Sequence, residues 1–264
     1  MKEGGRRSET RPRLLRLFMR ATRSIIFNGA WALWTVLFGL AIPILLISGS
    51  PPKVVRMLTR TWARGILAML SGIVGLKCVI WNKEYSPSSP SLIISNHQSV
   101  WETLAALVLF PDVAIVAKRE LLRIPVMGWY LRRSPMILID RGAASSALRQ
   151  MVEQSRAALA AGRSVLIFPE GTRKQVAAPI EFKRGVELLY KMLNVPVTPM
   201  VVNSGLFWGV GGRWKRAGVI TVSFSAPVAP HQNSSEFINE TETRMEAEKA
   251  VIDLDHRIKR GIRT

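Results

Sequence analysis

Apolar and polar positions follow different patterns in two parts of the chain, and the first part contains one long apolar segment. Eight Lys and Arg residues precede it within the first 24 positions, and residues 24–52 carry no charge. As a helix, residues 25–48 would be roughly 36 Å long, enough to cross a hydrocarbon core of about 30 Å. The apolar region of a secretory signal has only about 7 to 15 residues. The pattern therefore predicts a retained membrane anchor.

The residues after this segment predict that the chain turns back. Gly49-Ser50-Pro51-Pro52 is a strong turn signal. The next uncharged stretch, residues 65–76, has 12 residues and is too short to cross a bilayer. Both flanks of the first segment are basic, which favours a helical hairpin that dips into one leaflet from the cytoplasmic face of the inner (plasma) membrane. A single transmembrane helix is the alternative, because hydropathy alone predicts one.

From Lys77 onward, short apolar runs alternate with helical stretches, a pattern typical of α/β proteins. Strands are predicted at residues 78–81, 92–95, 113–117, 136–139, 165–168, 197–202 and 220–224, and helices at 101–109, 144–159, 185–193 and 235–259. Several strands are continuously apolar, as expected for strands that are covered on both faces. We therefore expect an α/β fold with a mainly parallel (mixed) sheet covered by helices. The chain divides into a basic N-terminus with a two-helix anchor, residues 1–76, and an α/β domain, residues 77–264.

Composition and charge narrow the possible partners. The chain has 37 Lys and Arg against 18 Asp and Glu, a net charge of +19, and 48% of its residues are hydrophobic. Such a chain favours an anionic partner, which could be nucleic acid, an acidic membrane surface or a phosphorylated substrate. Its single cysteine, Cys78, excludes an internal disulfide and a cysteine-based zinc site, and with three histidines we expect no multi-histidine metal site. We predict no metal and no cofactor.

Polar residues follow two of the predicted strands directly. In open α/β sheets, binding and catalytic groups collect where strands end and helices begin. The strand at 92–95 runs into Asn96-His97 and, five residues after His97, Glu102. The strand at 165–168 runs into Pro169-Glu170-Gly171-Thr172-Arg173. These two junctions are the candidate functional sites, although His97 could also be a core histidine and the second junction an ordinary turn.

Four ordered blocks of sequence resemble the glycerolipid acyltransferase family, which includes the 1-acylglycerol-3-phosphate acyltransferases. They are Asn96-His97 with Glu102, residues 137–141 (Ile-Leu-Ile-Asp-Arg), residues 168–173 (Phe-Pro-Glu-Gly-Thr-Arg) and residues 195–200 (Val-Pro-Val-Thr-Pro-Met). The third block matches the family pattern at all of its positions. In the first block the family usually has Asp where this chain has Glu102, so the carboxylate is carried on one more methylene. A contact with this carboxylate requires His97 to lie at or before the start of the helix.

The chemistry of ester formation from a thioester assigns catalytic roles to the first block. The reaction needs a base for the acceptor hydroxyl and alignment of two substrates. Histidine can accept a proton at neutral pH and return it to the departing thiol, so His97 is the predicted base. Glu102 would bind the far ring nitrogen and stabilise the imidazolium, as the acidic member of a catalytic triad does.

The resemblance implies which residues bind the acceptor. A guanidinium group suits a phosphate monoester, and the family pattern assigns phosphate binding to Arg141 and Arg173. Lys118, just past a predicted strand, is a third candidate, with a solvated surface charge as the alternative. The turn residues Glu170, Gly171 and Thr172 would place the acceptor glycerol. We expect the His97 imidazole to face these cations across a cleft that opens towards lipid.

The resemblance implies a membrane enzyme of phospholipid biosynthesis. It would transfer an acyl chain from acyl-CoA or acyl carrier protein to the sn-2 hydroxyl of 1-acylglycerol 3-phosphate (lysophosphatidic acid), giving phosphatidic acid. A sister activity on another lysolipid, such as lyso-ornithine lipid, is one alternative. A non-catalytic basic protein that binds membrane or nucleic acid is another, but aromatic residues are sparse among the basic positions and no nucleic-acid motif occurs, so no nucleic-acid partner is expected.

Overall fold

A seven-stranded sheet forms the centre of the protein in a computed structural model, which describes residues 6–134, 136–140, 144–230 and 233–259. The strands lie in the order β1-β7-β6-β2-β5-β3-β4. Five of the six pairings are parallel, and only β6 with β7 is antiparallel. The prediction of a mainly parallel, mixed sheet is therefore confirmed. The strands are β1 (Leu76–Trp81), β2 (Leu92–Ser95), β3 (Val113–Lys118), β4 (Ile137–Ile139), β5 (Ser164–Ile167), β6 (Val197–Val202) and β7 (Gly218–Phe224).

Helices precede the sheet and cover both of its faces. Short 3-10 turns at Lys83–Tyr85 and Arg119–Arg123 and a π-helical turn at Leu70–Val74 complete the regular structure of the described residues. The α-helices are α1 (Arg6–Leu40), α2 (Ile42–Ile47), α3 (Pro52–Met69), α4 (Trp101–Leu109), α5 (Met127–Arg133), α6 (Ala144–Ala160), α7 (Arg184–Leu193), α8 (Gly205–Trp208) and α9 (Ser234–Lys259).

The period-two geometry of the strands divides the apolar core into two layers. Ile93 of β2 points into a cluster on one face, which it shares with residues of α1, α3 and α4. Its neighbour Ile94 points into a second cluster with residues of α6, α7 and α9. Both isoleucines are fully buried. Continuous apolar strands are needed because both faces of the sheet are covered.

The N-terminal helices form a hairpin whose two arms touch along their length. The indole N–H of Trp34 in α1 donates to the carbonyl of Trp62 in α3 (3.1 Å), and the Trp62 indole donates to Thr35 Oγ1 (3.1 Å). Gly65 makes this close approach possible, because a Cβ there would lie 2.5 Å from the Trp34 ring. The predicted two-helix arrangement is therefore present in the structure.

The hairpin shares the core of the α/β part instead of forming a separate core. Phe27 and Trp31 of α1 pack edge-on against the Trp208 ring of α8, with centroids 6.0 and 5.8 Å apart. The ammonium group of Lys215 donates to Asn28 Oδ1 (2.7 Å) and lies over the Trp208 ring at 4.7 Å. Burial without a carboxylate lowers the pKa of Lys215. These contacts dock α1 on the chain that follows the sheet strand β6.

The outer surface of the hairpin is apolar. Residues Leu14–Ile47 form a stretch of 34 residues that is long and apolar enough to cross a membrane. Its most apolar 18-residue window has a mean hydropathy of 2.2, and only 6% of that window is buried. Exposed side chains include Phe18 (70%), Ile44 (70%) and Ile47 (89%). Apolar surface of this extent in a helical segment indicates membrane association.

Candidate active site

The carboxyl ends of β2 and β5 bring the two predicted junctions together. Ile94 of β2 is paired in register with Ile167 of β5. His97 and Glu170 each lie three residues beyond these partners, so they reach the same level above the sheet. The backbone N–H of His97 donates to Glu170 Oε1 (3.2 Å), and the backbone N–H of Lys174 donates to the His97 carbonyl (2.7 Å).

His97 and Glu102 form a hydrogen-bonded pair at the start of α4. The Nδ1 atom of His97 lies 2.8 Å from Glu102 Oε1. Because α4 begins at Trp101, His97 precedes the helix and Glu102 occupies its first turn. The same Oε1 accepts the backbone N–H groups of Gln98 (2.7 Å) and Ser99 (2.6 Å). The carboxylate thus accepts hydrogen bonds from amides of the loop that precedes α4, and it lies in the first turn of the helix, where negative charge is favoured.

A serine that the sequence did not single out completes the surroundings of Glu102. Ser204 Oγ, just beyond β6, donates to Glu102 Oε2 (2.7 Å), so both carboxylate oxygens are bound. Glu102 is 1% exposed and Ser204 is fully buried. Gln98 accepts the backbone N–H of Gly205 through its Oε1 (3.1 Å). Ser204 lies directly after a predicted strand and next to a glycine, and this position is the sequence feature that could have indicated a functional role.

The family residue Asn96 ties the end of β2 to β6. Its amide nitrogen donates to the Val202 carbonyl (2.9 Å), and its Oδ1 accepts the Val202 N–H (2.8 Å). Asn96 is 1% exposed, so this pairing is sheltered from water. An amide side chain matches both backbone groups at once. The pairing holds His97 and Ser204 at a common edge of the sheet.

The imidazole ring of His97 is held by a stacking contact on one face as well as by the hydrogen bond at Nδ1. It stacks on the Phe168 ring with centroids 4.0 Å apart and an interplanar angle of 15°. The His97 side chain is 17% exposed. Within the described ranges, Nε2 has no hydrogen-bond partner, so this nitrogen is the atom that a substrate can reach.

Glu170 occupies a site that disfavours its charged form. The residue is 2% exposed, and burial raises the pKa of its carboxyl to about 7. Its Oε2 atom is buried and has no hydrogen-bond partner among the described residues. The turn that carries it requires a glycine next, because Gly171 has a φ of +65°, a conformation that L-residues adopt at a cost.

Two of the three predicted phosphate-binding cations lie at the carboxyl edge of the sheet. The third lies outside the residues that the structure describes. Lys118 ends β3 and is exposed, and Thr172 and Arg173 are exposed beyond β5. Lys118 is paired in register with Ile139 of β4. Arg141 would follow two residues later, but it lies outside the described residues. His97, Glu102 and Glu170 are thus brought into contact, and Lys118 and Arg173 flank them at the carboxyl edge.

Comparisons with known proteins identify the family. A family model named Acyltransferase matches residues 77–203, a range that includes every residue of this site except Ser204 and Gly205. The 1-acyl-sn-glycerol-3-phosphate acyltransferase of Pseudomonas aeruginosa is 34% identical over 192 residues, which cover 73% of this chain and 75% of that protein. The chain belongs to this acyltransferase family. The predicted resemblance is confirmed.

More distant relatives of this acyltransferase carry the same description. The 1-acyl-sn-glycerol-3-phosphate acyltransferase alpha of Mus musculus is 30% identical over 67% of this chain, and the alignment spans 61% of the mouse protein. The solved structure of the 1-acyl-sn-glycerophosphate (LPA) acyltransferase PlsC from Thermotoga maritima superposes with a TM-score of 0.60. That match covers 86% of this chain and 98% of the other at 20% identity, and it confirms the fold.

The described part of the acyltransferase has no group of three or more His, Cys, Asp and Glu side chains arranged to hold a metal ion. The side chains gathered at the carboxyl edge are instead a histidine, two buried carboxylates and flanking cations. This set is suited to moving a proton beside an anionic group.

Proposed function

We propose that the protein transfers a fatty acyl chain from an acyl thioester to the sn-2 hydroxyl of 1-acylglycerol 3-phosphate, giving phosphatidic acid. The observation that carries the proposal is the His97–Glu102 pair, with its 2.8 Å hydrogen bond and an accessible Nε2, at the carboxyl edge of the sheet. The relatives named 1-acyl-sn-glycerol-3-phosphate acyltransferases support the choice of acceptor.

In the proposed reaction, His97 moves one proton. Nε2 takes the proton of the acceptor hydroxyl while the hydroxyl oxygen attacks the thioester carbonyl carbon, which forms the new C–O bond. The tetrahedral intermediate collapses by breaking the C–S bond, and the imidazolium returns the proton to the thiolate. Glu102 stabilises the imidazolium and keeps the Nδ1 proton on its own side of the ring, so Nε2 starts the reaction as an acceptor.

The flanking residues are proposed to bind the acceptor. Arg173 and Lys118, together with Arg141, supply the positive charge for the phosphate, and guanidinium groups offer two parallel hydrogen bonds to phosphate oxygens. Neighbouring strands of a sheet are about 4.8 Å apart. Lys118 is two strands from His97, a span comparable to that of a glycerol phosphate headgroup. Glu170, Gly171 and Thr172 would place the glycerol between the phosphate and the imidazole.

The N-terminal hairpin is proposed to bring this site to its lipid acceptor. We assign α1 and α2 to one leaflet on the cytoplasmic face of the membrane, because basic residues lie on both sides of the apolar stretch and α3 returns along α1. The donor would then be acyl-CoA or acyl carrier protein, both of which are acidic and soluble. The net charge of +19 favours either one.

The decisive experiment measures acyl transfer by the purified full-length protein. Labelled acyl-CoA and acyl carrier protein are supplied with a panel of lysolipids that includes lysophosphatidic acid and lyso-ornithine lipid. We expect transfer to lysophosphatidic acid, and a loss of at least about 10³-fold in His97→Ala. His256→Ala, a change of the same type in α9, should retain activity. Near wild-type turnover by His97→Ala would refute the mechanism, and a preference for the zwitterionic acceptor would refute the substrate.

A further inference from the structure

A basic groove lies at the edge of the sheet opposite to His97. Its volume is about 340 Å³, and its walls come from α3, the end of α4 and the segments that lead into β3 and β4. We call it the α3 groove. Val113, in its wall, begins β3, whereas Lys118 ends β3 beside the active site. A strand rises about 3.3 Å per residue, so the length of β3 separates the α3 groove from the carboxyl edge.

The α3 groove carries excess positive charge. Lys53, Arg56, Arg60 and Arg64 follow one another at helical spacing and line it from α3. Among the described residues that line it, Asp112 is the one carboxylate. This carboxylate is already bound by two guanidinium groups, those of Arg56 (2.9 Å) and Arg163 (2.9 Å). Four lining cations therefore face a single acid that is already neutralised.

Two of the four cations have unused binding capacity. Arg60 donates to the carbonyls of Pro111 (2.9 Å) and Val108 (3.0 Å) and so holds α3 against the end of α4. Lys53 and Arg64 are exposed, and neither has an ion-pair or hydrogen-bond partner in the part of the chain that the structure describes. They stand at the two ends of the basic row, where an anion can contact both the row and water.

The apolar side chains in and near the α3 groove are suited to contact with lipid. Met57, Leu107 and Phe110 add apolar wall to the α3 groove, and Met57 is 59% exposed. The row begins six residues after Ile47, which is 89% exposed at the end of the apolar hairpin. A helix with a buried apolar face and a basic outer face, next to exposed apolar residues, is typical of segments at the membrane interface.

We propose that the α3 groove binds the phosphate-bearing headgroup of an anionic membrane phospholipid, at a site separate from that of the acyl acceptor. Charge complementarity and the neighbouring apolar hairpin carry this assignment. Each Lys or Arg near an acidic leaflet strengthens binding by about fivefold. The lipid would hold α3 in the headgroup layer and so fix the depth at which the hairpin enters the membrane.

The test compares partition of the full-length protein into two kinds of vesicle. One is phosphatidylcholine alone, and the other contains about 30 mol% phosphatidylglycerol, so that the ratio of the two partition coefficients isolates the headgroup charge. The variant is Lys53→Gln with Arg64→Gln. Its matched control is Lys77→Gln with Lys83→Gln, which removes the same charge beside β1 at the other end of the sheet order. Acyl transfer in detergent micelles, where no anionic leaflet exists, should be unchanged in both doubles.

We expect the partition ratio of the variant with both Lys53→Gln and Arg64→Gln, called the α3 double, to be about 30-fold below that of the wild type. The ratio of the control double should fall by less than about threefold. Anionic vesicles should slow amide exchange at residues 107–113 of the wild type but not of the α3 double. An equal fall in both doubles would refute the site, because net charge alone would then explain binding. If the partition ratio of the α3 double is unchanged while its KM for acyl-CoA is raised, the proposed lipid site is also refuted. The α3 groove would then be assigned to the acyl donor. The partition ratio and the amide exchange do not require the proposed acceptor to be correct.

Discussion

His97 Nδ1 lies 2.8 Å from Glu102 Oε1, although the two residues are five positions apart in the chain. Residues at this spacing within one helix point in different directions. The contact forms because His97 lies in the loop before α4 whereas Glu102 lies in the first turn of this helix. The backbone N–H groups of Gln98 and Ser99 in that loop also donate hydrogen bonds to the carboxylate and hold it in place. The extra methylene of Glu102, relative to the usual Asp of the family, is therefore compatible with a catalytic pair.

Neutralising Glu102 should impair the rate without breaking the fold. In Glu102→Gln, the amide oxygen would stay at Oε1, because two backbone N–H groups point at that position. The imidazole would keep its tautomer and lose only the charge that stabilises the imidazolium. We expect kcat to fall about 10²-fold with little change in KM. Steady-state kinetics check this, with the exposed Glu84→Gln as control. A kcat within about threefold of wild type would show that the charge is not used.

Ser204 should matter for stability through the buried carboxylate that it binds. In Ser204→Ala, Glu102 Oε2 loses its 2.7 Å donor while remaining shielded from water. An unsatisfied buried acceptor costs about 1 to 3 kcal/mol, and the free energy of unfolding should fall by this amount. Urea denaturation in detergent measures it. Ser235→Ala, at an exposed serine of α9, should be near neutral, and an equal effect of the two changes would contradict the assignment.

Glu170 should make stability depend on pH in the weakly acidic range. Burial raises its pKa from 4.5 to about 7, so the folded protein keeps the proton when the unfolded chain has already lost it. The free energy of unfolding should therefore fall as the pH rises from about 4.5 to 7 and level off above, by up to about 3 kcal/mol. Glu170→Gln should remove this component. If the free energy of unfolding changes with pH equally in the variant and in the wild type over this range, the raised pKa of Glu170 is refuted.

Arg173 should affect the acceptor more than the donor. Arg173→Ala removes a proposed phosphate ligand at the carboxyl edge of the sheet, so we expect KM for lysophosphatidic acid to rise about tenfold or more while KM for acyl-CoA changes little. Arg173→Lys should recover part of the loss. Arg149→Ala, at an exposed arginine of α6, serves as the control. Equal changes in both Michaelis constants would remove Arg173 from the acceptor site.

The sheet could be predicted from the sequence because its strands are buried on both faces. The strands at Leu92–Ser95 and Val197–Val202 and the helix at Trp101–Leu109 have the predicted bounds, and the remaining predicted strands agree to within two residues. Continuous apolar runs bounded by polar junctions leave little ambiguity about which residues enter such a sheet. The same junctions located His97 and Glu170, since parallel strands place their carboxyl ends at one edge.

Contacts between distant segments could not be predicted in this way. Ser204 binds Glu102 across 102 residues of chain, and Lys215 binds Asn28 across 187. No local pattern marks either pair, because each depends on how β6 and α8 are placed next to other elements. The antiparallel pairing of β6 with β7 is of the same kind. The hydrophobic pattern determines which elements form, and tertiary packing determines which polar groups they bring together.

The long helix α9 holds the segment that follows the Glu170 turn, and weakening this hold should loosen the acceptor site. Glu242 accepts the backbone N–H of Phe182, and Glu246 accepts that of Ile180. Lys249, which is 7% exposed, donates to the Ala178 carbonyl (2.7 Å) and pairs with Glu246 (3.0 Å). The two acids and the lysine therefore bind backbone groups of three alternate residues in the segment between β5 and α7.

Glu246→Ala would leave a buried ammonium without its carboxylate and a backbone N–H without its acceptor. We expect amide exchange at residues 178–182 to accelerate by about tenfold or more, and KM for the acceptor to rise more than kcat falls, because the Glu170 turn is continuous with this segment. Glu240→Ala is the matched control, since Glu240 lies on the same helix and pairs only with the partly exposed Arg244 among the contacts described. If both variants exchange at the wild-type rate, α9 does not hold the turn in place.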